Sequence, residues 1–165
     1  MLTPITPSQN ALIKAEILAD PILAAQPDDG DGLNAIADAL NVLATPAFIV
    51  WKSRVTQDEI MQNGFDWTRV DNLSVGPARV WEWMFSNVNR SIDPSKANVR
   101  AGIEAVWKGV AADLAVRAAV YVHCKRSTTR VEKLLATGTG SDAVPALLGN
   151  EGKITANEVD SARRS

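Results

Sequence analysis

The chain has 165 residues, 46% hydrophobic and 22% charged, a composition that supports a buried core and excludes a disordered or fibrous class. A single cysteine excludes an internal disulfide framework, and a single histidine excludes multi-histidine metal centres. A net charge of −2 excludes a molecule that is cationic as a whole, the usual mark of a nucleic-acid binder.

The expectation is one helical domain over residues 1–165, with an N-terminal arm (1–6) and a loop-rich C-terminal segment (138–165). Met1–Pro7 lacks a basic, apolar leader pattern, and no apolar run reaches the length of a membrane span. A soluble, cytoplasmically made chain with no membrane partner is therefore expected.

Thr6-Pro7 is an N-cap followed by proline at the first helical position. The run from Ala11 to Ile22 then has helical spacing, interrupted or kinked at Asp20-Pro21. After the Pro27–Gly32 loop, Leu33, Ile36, Ala37, Leu40 and Leu43 predict an amphipathic helix ended by Thr45-Pro46. Phe48–Trp51 reads equally as a short strand or a buried helical turn. Thr56–Glu59 is a capping box for a short helix that ends at Asn63-Gly64, and Asp66-Trp67 caps another turn.

Gly76-Pro77 predicts the next helix, with Val80, Trp81, Met84, Phe85 and Val88 on its apolar face and Trp83 pointing away from it. Asp93-Pro94 reads as an N-cap pair. Val99, Ile103, Val106, Val110, Leu114, Ala118 and Tyr121 form a seam that predicts one long central helix, bent at Gly109. Arg100, Glu104 and Lys108 form an i, i+4 ladder on its other face. Ser127 or Thr128 restarts a helix through Leu135, Gly138–Ser141 is a flexible polar loop, and Thr155–Glu158 caps a last short helix. The fold class is all-α: a helical bundle around one long helix, with room for a minor β element.

Charge is divided along the chain. Up to Asn72 ten acids face four bases; from Leu73 nine acids face thirteen bases. That division reads either as solvated faces or as an assembling subunit whose two ends meet different partners. All five tryptophans lie between Trp51 and Trp107, which puts the bulky core material in the middle third.

The motifs with a chemical look have plainer readings. Glu151–Glu158 imitates the second half of a calcium loop, but the positions that should begin it hold Leu147 and Gly149. Asp28–Asp31 reads as a helix-start loop, and Gly138–Ser141 lacks the lysine of a phosphate loop. His123 and Cys124, adjacent on a helix, point about 100° apart and form no dyad. No catalytic, metal-binding or cofactor-binding residue is assigned, and no enzyme is expected. Asp113 and Arg117 are i, i+4 partners close to the long seam. In a monomer Trp83 would cover a neighbouring loop, and in an oligomer Trp83 and this pair are the candidate aromatic anchor and desolvated charge pair of a subunit interface. Lys125, Arg126, Arg130 and Lys133 are the candidate DNA or partner contacts.

Three stretches, Thr45–Lys52, Lys125–Leu134 and Ala136–Gly140, in this order and spacing, resemble small proteins encoded among the virion structural genes of tailed bacteriophages. The similarity spans residues 40 to 160 and is structural in kind. It implies a head–tail connector or adaptor: a homo-oligomer, commonly a dodecameric ring, that docks on the portal protein. Such a ring meets tail or neck proteins, lines the DNA channel and lets DNA pass transiently. It would be assembled in the host cytoplasm and located in the virion. Tail completion, terminator, decoration and scaffolding proteins are rival roles within the class. A DNA-binding or packaging accessory protein is the alternative outside it.

Overall fold

In chain order the elements are α1 (Pro7–Ala19), α2 (Pro21–Ala24), α3 (Gly30–Asn41), β1 (Ile49–Trp51), β2 (Val55–Thr56), α4 (Gln57–Ile60), α5 (Thr68–Asp71) and α6 (Val75–Met84). They continue with β3 (Ser91–Ile92), α7 (Ala97–Val106), α8 (Ala111–His123), β4 (Lys125–Ser127), α9 (Arg130–Leu135) and α10 (Ala156–Arg163). This is a computed structural model describing residues 4–62 and 64–165. The chain is mainly helical, with two small strand pairs, β1 with β4 and β2 with β3. Residues 1–3 of the expected arm and Asn63 of the expected helix stop lie outside the described residues. Among the described residues no helix is long and apolar enough to cross a membrane.

Within the span expected as one domain, the chain divides into two compact units. The first is Met1–Val50 with Ser127–Ser165, and the second is Trp51–Arg126.

In the first unit the helix starts follow local chemistry. The Thr6 hydroxyl accepts from the Gln9 N–H while the Gln9 side chain accepts from the Thr6 N–H, and Pro7 opens α1. At Asp20 the chain breaks, because its carboxylate accepts from the Ile22 and Leu23 N–H groups and starts α2 at Pro21. Asp29 caps α3 in the same way. The predicted end of α3 at Thr45-Pro46 is too late. The helix stops at Asn41, and Leu43 turns outward into an antiparallel bridge with Thr129.

Thr129, and not Ser127 or Thr128, caps α9. Thr128 is fully buried and donates its hydroxyl to the Phe48 carbonyl. Around Ile13, Ile17, Ile36, Leu40, Val131 and Val159 the first unit closes an aliphatic core that joins the two ends of the chain. Asn41 clamps that join: its amide donates to the Ile154 carbonyl and accepts from the Ile154 N–H, both at 2.9 Å.

The second unit is built on aromatic rings. Trp81 lies 5.1 Å from Phe85 and 5.4 Å from Trp107, both edge-to-face, and Phe65 stacks beside them. Thr56 and Glu59 form the predicted capping box of α4, and Asp66 caps the turn into α5. Of Phe48–Trp51, open between strand and helical turn on sequence, Ile49–Trp51 is the strand β1, and only its last residue, Trp51, belongs to this unit.

The predicted long helix is two helices. α7 ends at Val106, Trp107 turns into the aromatic core, and α8 starts at Ala111. The cause is a carboxylate: Asp113 accepts from the Val110 N–H at 3.1 Å and so ties the first turn of α8 to the turn before it. The seam shifts accordingly. Asp113, Val116 and Val120 are the buried positions of α8, while Val110 and Leu114 are exposed.

Asp93 does not cap a helix either. It accepts from the Ser95 N–H just after β3, and α7 begins only at Ala97. The predicted Arg100–Glu104–Lys108 ladder is absent. Arg100 donates to the Pro94 and Ser95 carbonyls and lies over the Trp51 ring, while Glu104 accepts from the Tyr121 hydroxyl.

Candidate assembly surface

α6 carries tryptophans on both sides. Residues two apart on a helix point about 200° apart, so once Trp81 enters the core Trp83 must leave it. Trp83 is 68% exposed, with Val80 exposed one turn earlier on the same outward side and exposed Arg79 on the other flank of Trp83. The inward side is already filled by Trp81 and Phe85, so no inward position remains for Trp83 to take. Val88, assigned on sequence to the buried face, is instead 97% exposed because α6 ends four residues before it.

Asp113 and Arg117 are not the pair predicted. The Arg69 Nη2 and Nε atoms donate to Asp113 Oδ1 at 2.5 and 3.0 Å, and the other carboxylate oxygen takes the Val110 N–H. The Arg69 bond holds the Asp113 carboxyl below the usual aspartate range, against the opposing effect of burial. This ion pair is an internal strut of the second unit, which leaves Trp83 as the exposed member of the proposed trio. Sequence reading missed Arg69, which lies 44 residues away, and no local pattern links it to Asp113.

The four basic residues are divided between the two units. Lys125 and Arg126 lie on β4 in the second unit, with the Lys125 ammonium 5.9 Å from the Trp51 ring centroid. Arg130 and Lys133 lie on α9 in the first unit. Arg130 donates to Glu16 at 2.7 Å and to Asp20 at 2.8 Å, so two carboxylates from α1 and its cap occupy its guanidinium. Those acids, spaced i, i+4, were the available signal that a distant arginine would come to them. Lys133 sits over the Phe48 ring.

The other motifs take up local contacts. Cys124 is fully buried, and burial pushes its thiol up to about 12, away from nucleophilic use. Thr155 and Glu158 close a capping box, while the Gly152 N–H donates to Glu132. Asp28 pairs with Arg163 at 2.8 Å. In the Gly138–Ser141 loop Gly140 alone is buried: it has φ of +66° and lies against the Phe48 ring, and its carbonyl accepts from the Ile49 N–H at 2.7 Å.

Two clefts open on the first unit. One, about 520 Å³, is lined by Ile17, Leu18 and the Asp28–Arg163 and Asp160–Arg164 pairs. The other, about 620 Å³, is lined by Val42, Leu43, Leu134 and the paired Glu16 and Arg130. Comparison of the chain with protein-family models, with curated proteins and with solved structures gave no match.

Proposed function

We propose that the chain is a structural subunit of a tailed-bacteriophage virion, a head–tail connector or adaptor that assembles as a ring between portal and tail. The observation that carries this reading is Trp83, a large aromatic held outward on a helix whose inward side is already filled. Buried aromatic anchors dominate the energetics of protein interfaces, and an exposed indole next to an exposed valine is such an anchor awaiting a partner. The resemblance across residues 40 to 160 supplies the biological setting. Function here is mechanical: the ring docks on the portal, extends the channel and lets DNA pass. Arg130 is neutralised by Glu16 and Asp20, which weakens the alternative of a DNA-gripping accessory protein.

The test is co-sedimentation with purified portal rings, followed by electron microscopy of the heavy fraction. The expected result is added density as a closed ring on one face of the portal. A chain that stays in the light fractions with and without portal contradicts the proposal. Trp83→Ala should weaken binding to the portal by about 30-fold, the equivalent of about 2 kcal/mol for an anchor residue, with unchanged helical content by circular dichroism.

A further inference from the structure

Two helices are apolar on both of their sides, and both outward sides lack any charge. In α1 the inward side is Ile13 and Ile17. At 100° per residue Ala11, Leu12, Ala15, Leu18 and Ala19 fall within an arc of about 120° on the other side, and all five are exposed. Leu18 is 66% exposed. Lys14 and Glu16 flank this arc without entering it.

α8 repeats the arrangement. Its inward side is Asp113, Val116 and Val120. Ala111, Leu114, Ala115, Ala118 and Val122 fall within an arc of about 100° on the other side, all exposed, with Val122 at 70%. Each helix has 13 residues, so each face is about 20 Å long. Alanine ridges flanked by leucine or valine let two such helices approach closely.

Charge selects which faces meet. The unit that carries α1 has eleven acids and six bases, a balance of −5; the unit that carries α8 has eight acids and eleven bases, a balance of +3. Pairing α1 with α1 would juxtapose two acidic units, and pairing α8 with α8 two basic ones. Only α1 against α8 brings opposite charges together.

We infer that the outward face of α1 in one copy of the chain seats on the outward face of α8 in a second copy. This inference rests on the self-association in the proposed function and is independent of the virion role. The contact is heterologous: each copy offers both halves, so assembly propagates, and it closes into a ring where the rotation permits.

The test uses two full-length variants, Ala15→Glu on α1 and Ala118→Glu on α8. Both substitutions fall at exposed helical positions where glutamate is well tolerated, and circular dichroism confirms folding. By analytical ultracentrifugation the unmodified chain should sediment as an oligomer and each variant alone as a monomer. A 1:1 mixture of the variants should give a dimer and stop there, because one intact α1 face meets one intact α8 face and the other two are blocked. An unmodified chain that is strictly monomeric overturns the inference. So does a single variant that still assembles, or a mixture that stays monomeric while both variants are folded. A capped dimer whose parent fails to bind portal keeps this contact and removes the adaptor role. A portal-bound ring that survives both substitutions does the reverse.

Discussion

At the residue scale, a few side chains carry the local architecture by answering buried polar groups. Asp113 is the clearest, because it joins Arg69 to the first turn of α8. Its carboxyl is held below the ordinary value of 3.8, chiefly by the Arg69 bond. A depressed folded-state value means a stabilising contribution that is fully present above the ordinary value and lost as pH falls through the depressed one. Arg69→Met should therefore lower the melting temperature at neutral pH. The deficit should shrink as pH falls below 3.8 and through the depressed value at which the paired Asp113 protonates. A deficit constant from about pH 7 to about pH 2 would contradict the assignment. Cys124 makes a second prediction. Buried, with its thiol raised to about 12, it should resist iodoacetamide in the native chain at neutral pH and react only after unfolding. Gly140 makes a third. A Cβ there would lie 2.3 Å from Phe48 ring carbons, at a positive φ, so Gly140→Ala should cost about 1–3 kcal/mol in a denaturant titration.

At the element scale, the break between α7 and α8 separates what sequence could show from what it could not. Caps at Thr6, Thr56 and Thr155 were legible because each cap and the N–H it accepts from lie three residues apart. The outward position of Trp83 was legible from helical geometry alone. The break at Trp107–Val110 was not. Apolar spacing through Val99 to Tyr121 suits a continuous helix equally well, and what interrupts it is a carboxylate fixed by an arginine 44 residues away. For the same reason Asp113 was matched to Arg117, its neighbour in sequence, and Arg130 was read as an open cation when Glu16 and Asp20 hold it. The two architectures differ in one cheap substitution. Inside a helix Gly109→Ala would stabilise by up to about 1 kcal/mol. In the observed turn a Cβ would lie 2.4 Å from the Asp113 carboxylate, so Gly109→Ala should lower the melting temperature, and a rise would favour the continuous helix.

At the scale of the whole molecule, the tryptophan clustering that sequence placed in the middle third belongs to a unit of its own. All five tryptophans lie within Trp51–Arg126, whereas the other unit closes an aliphatic core from both ends of the chain. Charge also differs between the units, −5 against +3, although the division along the chain at Asn72 falls inside the second unit. If opposite charge guides association between copies, the association rate should fall as ionic strength rises past the point where the Debye length is about 10 Å. A rate independent of salt would leave the apolar faces as the sole guide. As an assembly subunit the chain must associate, with itself or on the portal. The most direct measurement of that claim is native mass spectrometry of the unmodified chain, alone and mixed with portal protein. The predicted result is a single closed oligomer in at least one condition, and a monomer in both would contradict it.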